Sequence, residues 1–184
     1  MFASAAHKKW TGEEVLRMVE AGILAEDAPY ELIEGELVER SPQGPLHTWL
    51  IQKLRKRLEG VYRGVGYVRE EKPIVLGAFG LPDPYVEVAG GDEDVYLHHH
   101  PLGDEVILAV EIAITSGAAD RSKAGPYARG GVPVYWILDV RERRLLVHSD
   151  PRPTGYGLVS ILDEEQEIRP PGTSETWRVR ELLP

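Results

Sequence analysis

The 184-residue chain contains no cysteine, which excludes a disulfide framework, a thiolate zinc site and a cysteine nucleophile together. It has no apolar run near the roughly 20 residues that a membrane-spanning helix needs, so no membrane partner is expected. The opening, Met1 to Trp10, lacks a basic head followed by an apolar stretch; no signal peptide is expected, and the cytoplasm is the expected location. Asparagine is absent and there are only three glutamines, against 14 prolines, a thermophile-like scarcity of thermolabile side chains. Positive charge is missing from one long interval. Between Lys72 and Arg121 there is no lysine or arginine, while nine acids fall there. With a formal net charge of −9, the chain is not expected to grip nucleic acid through bulk charge.

The base-free block lies between two basic ones: Lys53 to Lys72 holds seven bases and three acids, and Arg121 to Arg152 holds the same numbers. Such an order suits a cation-binding site flanked by anion-binding surfaces, although solvated loops and outer faces would give the same pattern. Length fits a single domain over residues 1–184. Thr11-Gly-Glu-Glu reads as a capped helix start. Tyr30 to Glu39 reads as two short strands about a turn at Glu34-Gly35, with Leu32, Leu37 and Val38 as core candidates. The breaker cluster Ser41 to Pro45 precedes a helix over about 46–59, whose buried stripe is Leu50, Ile51, Leu54 and Leu58. Short strands are predicted at 66–69, 73–76 and 85–88. Val106 to Ile114 and Val134 to Val140 are apolar on both faces, as covered central strands are. The helical pattern of 118–129 between them predicts a parallel, right-handed crossover. Strands at 144–148, 156–162 and 176–179 complete the chain. The fold class is α/β (α+β), a mixed β-sheet with flanking helices.

Glu111 is the one charge inside its apolar strand. An unpartnered carboxylate costs on the order of several kcal/mol to strip of water, so the strand keeps it for a partner, a wet end or a metal. Lys123 and Asp120 share a face of the following helix, and strand, turn and helix can bring all three together. A buried ion pair from Glu111 to Lys123 or Arg121 is the plain alternative. Asp83 and Glu87 lie in the base-free block just before the central strand. Two acids and a lysine are the groups that metal-assisted phosphodiester hydrolysis uses: the acids hold Mg²⁺ or Mn²⁺, and the lysine positions the nucleophile or shields the anion.

Four stretches, in order, carry a resemblance: Tyr30-Glu-Leu-Ile-Glu-Gly-Glu-Leu-Val, then Ser41-Pro with His47 at a helix head, then Val110-Glu-Ile, then Lys123 followed by Tyr127 to Asp139. In these the chain resembles the Uma family of "putative restriction endonucleases", built on the PD-(D/E)XK, restriction-endonuclease-like fold. The resemblance implies a Mg²⁺- or Mn²⁺-dependent DNA endonuclease with catalytic Asp83, Glu111 and Lys123, of which Asp83 and Glu111 hold the metal. It puts Glu111 at the metal-binding acid, Ala113 at the parent superfamily's lysine, and Lys123 in the helix-borne lysine slot. It also aligns the family's Pro-Asp pair with Pro84-Tyr85, so a tyrosine stands where the aspartate is expected. Tyrosine, with a reference pKa of about 10, is no hard anionic ligand at neutral pH. Asp83 is two residues away, roughly 6.6 Å along a strand, and a bulge near the prolines would be needed to bring it back. The activity is therefore expected to be impaired.

Lys53, Lys56, Arg57 and Arg121 are the candidate DNA contacts, since the first three lie off the buried stripe of their helix and Arg121 lies beside the proposed site. Two rival readings stand beside the enzyme: a non-catalytic nucleic-acid-binding or assembly module on the same fold, and a structural homodimer in which Glu111 and Lys123 form only an ion pair. His98-His-His100 reads as loop surface, Tyr135 and Trp136 as core, and His47 as a packing or capping residue near the cleft. Thr115 and Ser116 have no evident histidine to activate them.

Overall fold

The computed structural model describes residues 7–115 and 117–184. The expectations for residues 1–6 and for Ser116 lie outside it. The first helix, α1 (Gly12–Glu20), starts with a reciprocal cap: the Glu14 amide donates to the Thr11 hydroxyl at 3.2 Å, and the Thr11 amide to the Glu14 carboxylate at 2.9 Å. Strands β1 (Tyr30–Ile33) and β2 (Glu36–Glu39) pair antiparallel. Their two-residue turn has positive φ at both Glu34 (51°) and Gly35 (88°), the twist a tight hairpin requires. Leu32 is buried with Val15 and Leu81, but Val38, expected in the core, is 41% exposed. Val38 is on the face that it shares with Glu31, which opens on a cleft rather than on the core.

Helix α2 runs Pro45–Tyr62, longer than its apolar stripe suggested, with Pro45 in the first turn where a missing amide costs nothing. Then come β3 (Gly66–Arg69), β4 (Val86–Gly90), β5 (Val106–Ala113), α3 (Ala118–Arg129), β6 (Val134–Asp139), β7 (Arg144–Arg152) and β8 (Gly155–Asp163). These strands form one six-stranded sheet in the order β3-β4-β5-β6-β7-β8. Only β5 and β6 pair in parallel, at its centre, joined through α3. The expected strand at 73–76 is a single bridge, Val75 to Leu102; Pro73 cannot donate to a ladder. The tail is also less regular than expected: β9 (Glu167–Ile168) pairs with β10 (Trp177–Arg178), two residues each.

The period of two along β5 divides the core. Leu108, Val110 and Ile112 face α2 and pack with Leu50, Ile51, Leu54 and Leu58. Ala109 and Ala113 face α3 and pack with Tyr127, Tyr135 and Ile137. Glu111 falls between those two alanines. Their small side chains let α3 approach closely, which is why a lysine on that helix reaches the middle of the sheet. The end of α3 is pinned by backbone contact, for a Cβ on Gly103 would stand 2.0 Å from the Gly130 carbonyl oxygen. Among the described residues no helix is long and apolar enough to cross a membrane.

Candidate active site

A cleft of about 550 Å³ opens where the hairpin, the head of α2, the end of β5 and the start of α3 meet. Glu31, Arg40, His47, Asp83, Tyr85 and Lys123 are among its lining residues. Glu111, fully buried, lies behind the cleft's lining residue Lys123. The Lys123 ammonium stands 3.0 Å from Glu111 Oε1 and 2.7 Å from Glu31 Oε1. The Tyr127 hydroxyl also donates to Glu111 Oε1, at 3.4 Å. Glu111 Oε2 has no partner. Asp120 is buried in the first turn of α3 and lines the same cleft.

Burial decides the protonation here. It pushes the Glu111 carboxyl up to about 7, against the pull of Lys123 and helped by Asp120 and Glu31. Burial also raises Asp120. For Lys123, burial alone would favour the neutral amine, but the charges of Glu111 and Glu31 outweigh it and hold the ammonium above the usual lysine value. Glu31 had no place among the sequence candidates. The hairpin carries several similar glutamates: Glu31 reaches Lys123 on α3, while Glu34 at the turn pairs with Arg129 at the far end of the same helix.

The other expected acids lie apart from this pair. Asp83 lines the cleft but is engaged by Arg40 at 3.3 Å, and burial raises its carboxyl to about 6. Arg40 also holds Glu71 at 2.7 Å. Glu87 pairs with Arg69, the residue directly across β3 and β4, and burial raises it to about 8. Val86, the first residue of β4, is opposite Val110, and Tyr85 just before it lines the cleft, where Glu111 acts on its hydroxyl. The irregularity in this ladder falls at Val88/Ala89. The Tyr85 ring packs on His47, centroids 4.2 Å apart. Burial first, then Glu111 and Asp120, raise its hydroxyl to about 12, so it is a neutral hydrogen-bonding group. His47 is kept neutral by burial, and its Nε2 is buried without a partner.

The basic groups of α2 do not line this cleft. Lys53 donates to the Leu183 carbonyl at 2.6 Å, and Arg57 pairs with Glu181 at 2.7 Å over the Trp177 ring. Both hold the carboxyl-terminal segment against the helix. Lys56 and Arg121 are exposed. His98 and His99 are exposed in a loop, as expected, while His100 contacts Arg69 at 3.2 Å. Tyr135 and Trp136 are core.

The residues present do not fit a divalent ion as they stand. Among the described residues no three His, Asp or Glu side chains converge as ligands. Glu111 Oε1 is already taken by the Lys123 ammonium and the Tyr127 hydroxyl.

Comparison with known proteins agrees with this architecture. The family model Uma2, described as "Putative restriction endonuclease", matches residues 13–181. No protein of curated description matches. Among solved structures, the chain is similar to a "putative nuclease belonging to DUF820" from Anabaena variabilis ATCC 29413, with a TM-score of 0.75 at 17% identity, over 94% of this chain and 96% of that one. At that identity the likeness is one of fold. The family match spans most of the chain, from α1 through the whole sheet to the last turn: this protein belongs to the Uma2 family of restriction-endonuclease-like proteins.

Proposed function

We propose that the protein is a DNA-directed member of the PD-(D/E)XK type whose metal-dependent phosphodiester hydrolysis is impaired by Tyr85. The observation that supports this reading is Tyr85, a neutral phenol that lines the cleft with Lys123 where the family resemblance expects a second carboxylate. The family's chemistry generally rests on Mg²⁺ or Mn²⁺ held by acids, and here Glu111 and Asp83 are the acids nearest to that task. Lys123, at the cleft wall, would hold a phosphate oxygen, and neutral His47 beside Tyr85 would take up a proton. Arg121 and Lys56 are the cations free to meet a DNA backbone. A non-catalytic nucleic-acid-binding or assembly module is the second reading, favoured by the engagement of Arg40, Lys53 and Arg57 within the protein.

The test is nicking of supercoiled plasmid in Mg²⁺ or Mn²⁺. Native protein should stay near background. Tyr85→Asp should gain Mn²⁺ affinity and cleavage, and Tyr85→Asp with Glu111→Gln should lose both. Strong native cleavage that Asp83→Asn abolishes would make Asp83 the ligand and overturn the role given to Tyr85. Tyr85→Asp with no gain would leave the non-catalytic module.

A further inference from the structure

The two oxygens of Glu111 live in different surroundings. Oε2 is buried without a partner. Oε1 meets a cation, the Lys123 ammonium, which is shared with Glu31 at 2.7 Å and is only 13% exposed. We infer that Lys123 is the resident cation of this cleft: its ammonium fills the place between Glu31 and Glu111 that a divalent ion would take, and its removal uncovers a divalent-cation site that the native chain does not offer. The inference rests on reading this cleft as the nuclease-type centre, and it concerns Lys123 rather than the Tyr85 substitution.

Charge and size both support it. Two carboxylates, Glu31 and Glu111, share a single ammonium, whose charge also reaches Asp120. A doubly charged ion in the same spot balances it better. Both glutamate oxygens already point at one nitrogen from 3.0 Å or less, and an ion with oxygen ligands at roughly 2.0–2.6 Å needs only a small inward movement of each. The ammonium holds the place by being covalently tethered. A lysine carried on a packed helix is present at an effective concentration on the order of millimolar or above, which a free ion of modest affinity does not displace.

Calorimetric titration with MnCl₂ tests this on the full chain. The native protein should show no saturable binding below about 1 mM. Lys123→Gln should bind Mn²⁺ at least tenfold more tightly, with a thermal midpoint that climbs with Mn²⁺ concentration. Lys123→Gln with Glu31→Gln should lose that gain. Micromolar binding by the native protein overturns the inference, as does a folded Lys123→Gln with no gain. If Lys123→Gln unfolds without metal, recovery of its circular-dichroism spectrum by Mn²⁺ but not by equal ionic strength of NaCl supports the site, and no recovery sinks it. A Tyr85→Asp protein that nicks DNA beside a Lys123→Gln protein that gains no Mn²⁺ would remove the resident cation and keep the function. The reverse pair of results would remove the function alone.

Discussion

Two buried glutamates two rungs apart in the same sheet have met opposite fates. Glu87 is paired with Arg69 directly across β3 and β4, so partner and register come from one backbone ladder. Glu111 takes its cation from a helix that crosses over the sheet and shares it with Glu31 from the hairpin, at the wall of a cleft. The first pair is closed on itself, with side chains 7% and 0% exposed. In both, the second glutamate oxygen is buried without a partner, but only the Glu111 pair borders the cleft, through Lys123 and Glu31. A buried acid is therefore not by itself a mark of function; the element that supplies its partner, and whether that partner lines a cleft, separates the structural acid from the reactive one.

The largest effect should come from breaking the closed pair. Arg69→Leu leaves Glu87 without its cation and should cost about 3–5 kcal/mol in urea denaturation. Arg69→Leu with Glu87→Leu should recover most of it, since an apolar pair needs no counter-charge; no recovery would mean that Glu87 has a use outside this pair. Lys123→Met should cost less, about 1–3 kcal/mol, because Glu31 can turn back to the water of the cleft. An equal or larger loss than Arg69→Leu would erase the distinction between the two regions.

Acid–base behaviour sharpens it further. Glu87 and Glu111 hold their protons up to about 8 and about 7 in the folded chain, against an ordinary 4.5. The folded state thus binds more protons than the unfolded one between those values. The stability from these two groups is complete below about 4.5 and is lost as pH rises towards 8. Glu111→Gln should remove the part of that fall that ends near pH 7, and Glu87→Gln the part that ends near 8, read from urea midpoints across pH 5–9. Midpoints that rise over this range in the native protein, and do not respond to either variant, would contradict the burial argument. The smallest expected effect is at the surface: Lys56→Glu should leave stability within about 0.5 kcal/mol and weaken DNA binding only at low salt. Lys53→Ala should cost about 1 kcal/mol through the lost bond to Leu183.

Much of this was legible in the residues. Thr11 and Glu14 announce a helix start by their spacing, and the two-sided apolar runs at 106–114 and 134–140 announce central strands with a crossover. Glu111 stood out because a charge in such a run demands a reason, and Lys123 because the crossover returns it to the same edge. Val38 was misread because alternation tells which residues share a face and not whether that face is covered. Glu31 was missed for a related cause: its partner comes from a distant part of the chain, and nothing local distinguishes it from its neighbouring glutamates. The place of Lys53 and Arg57 on the carboxyl-terminal segment was hidden in the same way, since a helix's outer face looks identical whether water or a chain end lies upon it.

The sharing of Lys123 also sets an order in time. Glu111 and Lys123 are 12 residues apart, within one strand-and-helix unit, so their contact closes a short loop. Glu31 joins from the far end of the chain, and closing that larger loop costs about 2 kcal/mol more in chain entropy. A refolding molecule thus forms the acid–lysine pair first and seats the hairpin afterwards. The cleft exists only from that last step, and the hairpin is the segment that local opening releases before any other part of the site.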